Sequence, residues 1–148
     1  MSTKTDLIFH MNKFLANLHV LDVKIHNFHW NITGPEFFTL HTKFESLYNE
    51  VEDTIDTIAE RILMVGGKPT ASMKIYLEHT DLREVETRDY TAAEALKELK
   101  EDYTMLLAEI AAIGVMANDL GDDVTADMVT TIKAAYEKNI WMLSASLK

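Results

Sequence analysis

Asp22, His26 and His29 follow one another at steps of four and three, a spacing that sets all three along one side of a helix. Further on, His41 and Glu45 are one turn apart, and so are Asp56 and Glu60. Each of those pairs projects from one side of its helix and can grip one edge of a metal ion. Mixed imidazole and carboxylate ligands suit iron(II), with zinc and cobalt as competitors, because such ligands discriminate weakly among divalent metals. The chain has no cysteine, which excludes disulfide scaffolds, zinc–thiolate sites, iron–sulfur clusters and thiol catalysis.

Spacing also limits what one chain can hold. At 1.5 Å rise per residue, Glu45 and Asp56 are separated by roughly 16 Å along a helix axis, too far for both to ligate one ion. A di-iron centre inside a four-helix bundle needs a Glu-x-x-His motif on each of two helices, and the sequence contains none. The simplest closure is a twofold dimer in which His29, His41 and Glu45 of one chain face Asp56 and Glu60 of the other. Symmetry then gives two identical sites per dimer.

The elements that must position these groups are helices. Leu7, Met11, Phe14, Leu18, Leu21, Ile25 and Phe28 step by alternating four and three, which predicts a first helix from about Thr3 to Asn31. Thr33-Gly34-Pro35-Glu36 reads as a break, with Thr33 and Glu36 as a capping box and Pro35 at a first helical position. The stripe from Leu40 through Phe44, Leu47, Val51, Ile55, Ile58 and Ile62 to Val65 marks a second helix, closed by Gly66-Gly67. Between Lys68 and Tyr90 the pattern weakens, and only Ser72 to His79 is expected to form a short helix. That length fits a crossover and not a hairpin. Thr91 with Glu94 forms a second expected capping box, ahead of a stripe running from Leu96 to Leu120. After Gly121, Asp122 or Asp123 caps a last helix whose stripe runs from Val129 to Leu147. The expectation is one all-α domain spanning residues 1–148, a ferritin-like four-helix bundle with a short extra helix in its long crossover.

The order of these residues resembles the signature of the Dps family of mini-ferritins. The resemblance rests on His29-Trp30-Asn31, Gly34-Pro35, Phe38, His41, Glu45, Asp56, Ala59-Glu60-Arg61 and Gly66-Gly67, and extends to Ala117-Asn118-Asp119 and Asp122 to Asp127. It implies a hollow dodecamer with ferroxidase sites between twofold-related subunits and His29, His41, Glu45, Asp56 and Glu60 in the ligand positions. It further implies oxidation of iron(II), with hydrogen peroxide as preferred oxidant, and storage of the ferric mineral as protection against oxidative damage. Glu45 stands where many relatives carry Asp. The same resemblance places Asp122, Asp123 and Asp127 at threefold pores, where acidic side chains would concentrate iron(II); the alternative is that they cap the last helix and complement its dipole.

Other groups are read more plainly. His26 is taken as a surface histidine on the dimer face, with a role behind the ligands as the alternative. Trp30 is expected to pack at an interface, and the scattered methionines to fill the core. A net charge of −10 repels phosphates and anionic lipid while attracting cations. With Lys4 and Lys13 isolated and Leu147-Lys148 at the end, no basic arm is expected, and direct DNA binding is not. No window approaches the run of about 20 apolar residues that spans a bilayer, and no signal-peptide core follows Met1, so a cytoplasmic location is expected. Two other classes stand beside this reading: a nucleoid-compacting DNA binder, and a structural bundle without metal chemistry.

Overall fold

The computed structural model describes residues 2–148. It contains α1 (Lys4–Asn31), α2 (Phe37–Met64), α3 (Met73–His79), α4 (Ala92–Asp119) and α5 (Asp123–Ser146). Among the described residues there is no strand, only an isolated bridge between Ile32 and Tyr90. α1 packs on α2 and α4 on α5, each pair joined by a short connection, and α1 packs on α4 to close the bundle. The crossover between the pairs carries α3 across α1.

Every member of the first apolar stripe, from Leu7 to Phe28, is buried, as are Leu99, Tyr103, Leu106, Ile110 and Ile113 of α4. The core is continuous across the four long helices, the arrangement expected when each contributes one apolar face. Among the described residues no helix is long and apolar enough to cross a membrane.

Local chemistry sets the helix ends. Thr3 and Asp6 form a reciprocal capping box on α1, and Thr91 and Glu94 form one on α4 as expected. Gly66, at φ +93°, ends α2 with Gly67 N–H donating to the Ile62 carbonyl, a closure that needs the left-handed conformation glycine allows. The expected Thr33/Glu36 box does not form. Glu36 is the N-cap residue without a side-chain cap, because Thr33 is taken by the crossover: its N–H and hydroxyl both donate to the Tyr90 carbonyl, at 2.9 and 3.3 Å. Pro35 lies in the preceding turn, outside the helix.

The crossover is held by polar side chains drawn from two helices. Buried Asn17 donates to Glu109 at 2.6 Å and accepts from the Thr80 hydroxyl and the Asp81 N–H. Burial, and then the nearby Asp81 carboxylate, push the Glu109 carboxyl up to about 7. A carboxyl whose pKa is raised by folding stabilises the fold when protonated, and that contribution fades as pH rises from the ordinary carboxylate range to about 7. Glu109→Gln keeps the shape and a donor toward Asp81 but cannot ionise. Its denaturation midpoint should match that of the parent protein near pH 4.5 and exceed it at pH 8; equal midpoints at both pH values would show that Glu109 ionises freely.

Candidate metal centre

His29, in the last turn of α1, and His41, near the start of α2, are brought together by the tight connection between them. Their rings stack with centroids 3.7 Å apart and planes 14° from parallel. The Nδ1 of each lies 2.7 Å from the other's main-chain carbonyl oxygen. A carbonyl only accepts, so both Nδ1 atoms carry a proton, and in the neutral rings both Nε2 atoms keep a free lone pair, the form a metal requires. The local reason is that Thr33 N–H bonds to Tyr90 and not back to α1. The His29 carbonyl, at an open helix end, is thereby left to receive His41. His29 is buried and Phe37 stacks on the outer side of His41 at 5.1 Å, which fixes both rings.

Tyr48, two turns along α2 from His41, meets the edge of His29 at 5.2 Å and stacks on His26 at 3.9 Å. Partial burial, together with the Glu45 and Glu52 carboxylates beside it, pushes its phenol upward. Glu45, Asp56 and Glu60 all expose their side chains on α2. The pairs His29/His41 and Asp56/Glu60 therefore sit on separate stretches of one chain. Among the described residues, the only set of three ligand types whose donor atoms lie within 4.8 Å of one another is Asp22, His26 and Glu52.

That set changes the reading of His26, which sequence spacing leaves as a surface histidine. Its Nδ1 is 2.8 Å from the Asp22 carbonyl oxygen and 3.5 Å from Asp22 Oδ1. Burial, and then Glu52, push the Asp22 carboxyl up to about 6. Glu52 was missed in the sequence, although a signal exists: Glu52, Asp56 and Glu60 are spaced by four along α2, one continuous acidic stripe. At the other end of the bundle Asp122 caps α5 through Thr125 and pairs with Arg61 at 2.9 Å. Hydrogen bonds from Thr125 and Arg61 outweigh its burial and hold its carboxyl below the ordinary range, so Asp122 acts as the cap of α5. Asp123 and Asp127 remain exposed.

Comparison with known proteins gives a consistent answer. A family model described as a ferritin-like domain matches residues 8–148. The chain is 45% identical over 138 residues to a DNA protection during starvation protein from Brevibacillus brevis, covering 93% of this chain and 92% of that one. The crystal structure of Dps from Staphylococcus aureus superposes with a TM-score of 0.95 at 37% identity, covering 100% of this chain and 99% of that one. A Vibrio cholerae O1 Dps protein, described as a member of a broad superfamily of ferritin-like diiron-carboxylate proteins, superposes with a TM-score of 0.94 at 34% identity over 97% of this chain and 90% of that one. With this helix order and match across nearly the whole length, the chain belongs to the Dps family of ferritin-like proteins.

Proposed function

We propose that this protein is a ferroxidase and iron store: it takes iron(II) as substrate at sites shared by two chains, oxidises it and keeps the ferric product inside a hollow dodecameric shell. The observation that carries this reading is the stacked His29 and His41 pair, whose two Nδ1–H groups are spent on main-chain carbonyls. Both Nε2 atoms are thereby committed to a ligand's role before any ion arrives, which lowers the cost of binding. Glu45 adds a carboxylate from the same chain. Asp56 and Glu60, too far along α2 to join them, supply the other half from a twofold-related chain.

Large apolar side chains left in solvent favour such an assembly. Trp30 is 66% exposed and Phe38 84%, and both flank the histidine pair in sequence. Cover by a second chain would take both out of water.

Each iron(II) gives up one electron in becoming iron(III). Hydrogen peroxide takes two electrons and two protons to become two waters, so two neighbouring iron ions complete its reduction without releasing hydroxyl radical. The chain's part is to hold the pair together with fixed imidazoles and carboxylates, and to neutralise their charge. Exposed Asp123 and Asp127 add negative potential that draws iron(II) toward the shell. Protection of DNA, which the relatives' names state, then follows here from removal of iron and peroxide in the cytoplasm. Direct contact with a phosphate backbone is disfavoured by the net charge of −10.

Anaerobic titration with iron(II) tests the reading. Saturable binding is expected, and the Asp56→Asn/Glu60→Gln double variant should lose most of it while eluting at the same assembled size. A structural bundle without metal chemistry would show no saturable binding in either protein.

A further inference from the structure

We propose that Asp22, His26 and Glu52 form a second site for a divalent transition-metal ion, separate from the His29 and His41 pair and built entirely within one chain. Asp22 and His26 are one turn apart on α1, and Glu52 reaches them from α2. One ligand atom from each lies within 4.8 Å of those of the other two, and because His26 Nδ1 faces the Asp22 carbonyl at 2.8 Å, Nε2 is the nitrogen left for an ion. Donors around a tetrahedral zinc-sized ion lie about 3.3 Å apart, so the set closes by side-chain rotation, which exposed Glu52 is free to make.

Two features point to a ligand and not to a chance meeting of charges. Asp22 Oδ1 is buried and has no hydrogen-bond partner, and a buried acceptor left without a donor costs free energy that a cation recovers. Among the described residues no Lys or Arg pairs with Asp22 or Glu52, and their only charged-group contact is His26 at 3.5 Å from Asp22. The His26 ring is clamped face to face on Tyr48 at 3.9 Å, so its orientation is set by packing before an ion arrives. One imidazole with two carboxylates is a ligand set for iron(II), zinc or cobalt, and less suited to calcium or magnesium, which take oxygen alone. The site lies one turn of α1 from His29 and shares Tyr48 with it.

Cobalt(II) titration of the assembled protein by calorimetry tests the assignment, with circular dichroism and elution volume verifying that each variant is folded and assembled. Asp22→Asn/Glu52→Gln should bind about one cobalt(II) fewer per chain than the parent protein, while His29→Ala/His41→Ala retains that ion. His26→Phe, which keeps a ring on Tyr48 but removes its nitrogens, should show the same loss. A cobalt-soaked crystal should place an anomalous peak within about 2.2 Å of donor atoms from His26 and Glu52. Cobalt binding in Asp22→Asn/Glu52→Gln equal to that of the parent overturns this site alone. Loss of all cobalt in His29→Ala/His41→Ala shows a single centre and also overturns it. A parent protein that binds no cobalt overturns this site, and an absence of iron(II) binding as well overturns the shared-site function with it.

Discussion

Replacing His29 and His41 together by alanine should lower the initial rate of iron(II) oxidation by about 100-fold or more, the scale on which loss of directly acting groups is felt, while the elution volume stays that of the parent. The two rings are each other's packing partners and each other's main-chain hydrogen bonds. A double replacement therefore removes the unit without leaving one histidine stranded. Stopped-flow absorbance of ferric product, with elution volume for assembly, is the measurement. An unchanged rate in a properly assembled variant would sink the assignment.

A stronger form of the same experiment asks where the two halves of the site meet. Chains carrying His29→Ala/His41→Ala and chains carrying Asp56→Asn/Glu60→Gln should each be inactive alone. Dissociated, mixed in equal amounts and reassembled, they form mixed dimers in which one site has lost every ligand changed and the other is intact. Random pairing makes about half of the dimers mixed, with one good site of two, so recovery of about a quarter of the parent rate is expected. No recovery after demonstrated mixing would place both halves of the site in one chain.

The second large effect is on stability. Lys24 is 2% exposed, yet its Nζ lies 2.9 Å from Glu98 and 2.6 Å from Asp102, joining α1 to α4 inside the bundle. Arg83 of the crossover reaches Glu98 from outside at 2.7 Å. The two acids respond differently. Burial raises the Asp102 carboxyl to about 6, only partly offset by Lys24. Burial of Glu98 is outweighed by its hydrogen bonds from Arg83 and Lys24, and its carboxyl stays below the ordinary range.

Lys24→Met fills the space but leaves the acids without their buried cation, and should cost about 3–5 kcal/mol. Denaturant unfolding at one fixed chain concentration reads it, since assembly contributes to apparent stability. The cost should shrink as pH falls toward about 6, because Lys24 is what lowers the Asp102 carboxyl to that value, and without it Asp102 already holds its proton at pH values where the parent's is ionised. Changing all three residues, with Glu98→Met and Asp102→Leu added, should recover most of the loss, because a buried ion cluster gains little over apolar packing. A Lys24→Met protein as stable as its parent would mean that water already reaches the cluster.

Repetition made the helices legible in the sequence. A stripe of seven apolar residues from Leu7 to Phe28 states the same period many times, and all seven are buried. The Thr91/Glu94 box was legible because its partners are three residues apart and need nothing else. The similar Thr33/Glu36 pattern failed because Tyr90, 57 residues away, takes the Thr33 hydroxyl. The candidate metal ligands divide along the same line. Rigid helical rise was enough to separate His29, His41 and Glu45 from Asp56 and Glu60 before any fold was known, and residue order alone carried the family resemblance.

Residue types and spacing thus determined the bundle and its candidate ligands, and set Asp56 and Glu60 apart from His29, His41 and Glu45, since all of these depend on the period and rise of one helix. Only the tertiary structure decided which nitrogen each histidine offers, that Lys24 is buried among acids, and that Glu52 stands beside Asp22 and His26. Those facts depend on the register between helices and on where the chain turns between α1 and α2. That register is set by the packing of many side chains at once, and no local spacing records it.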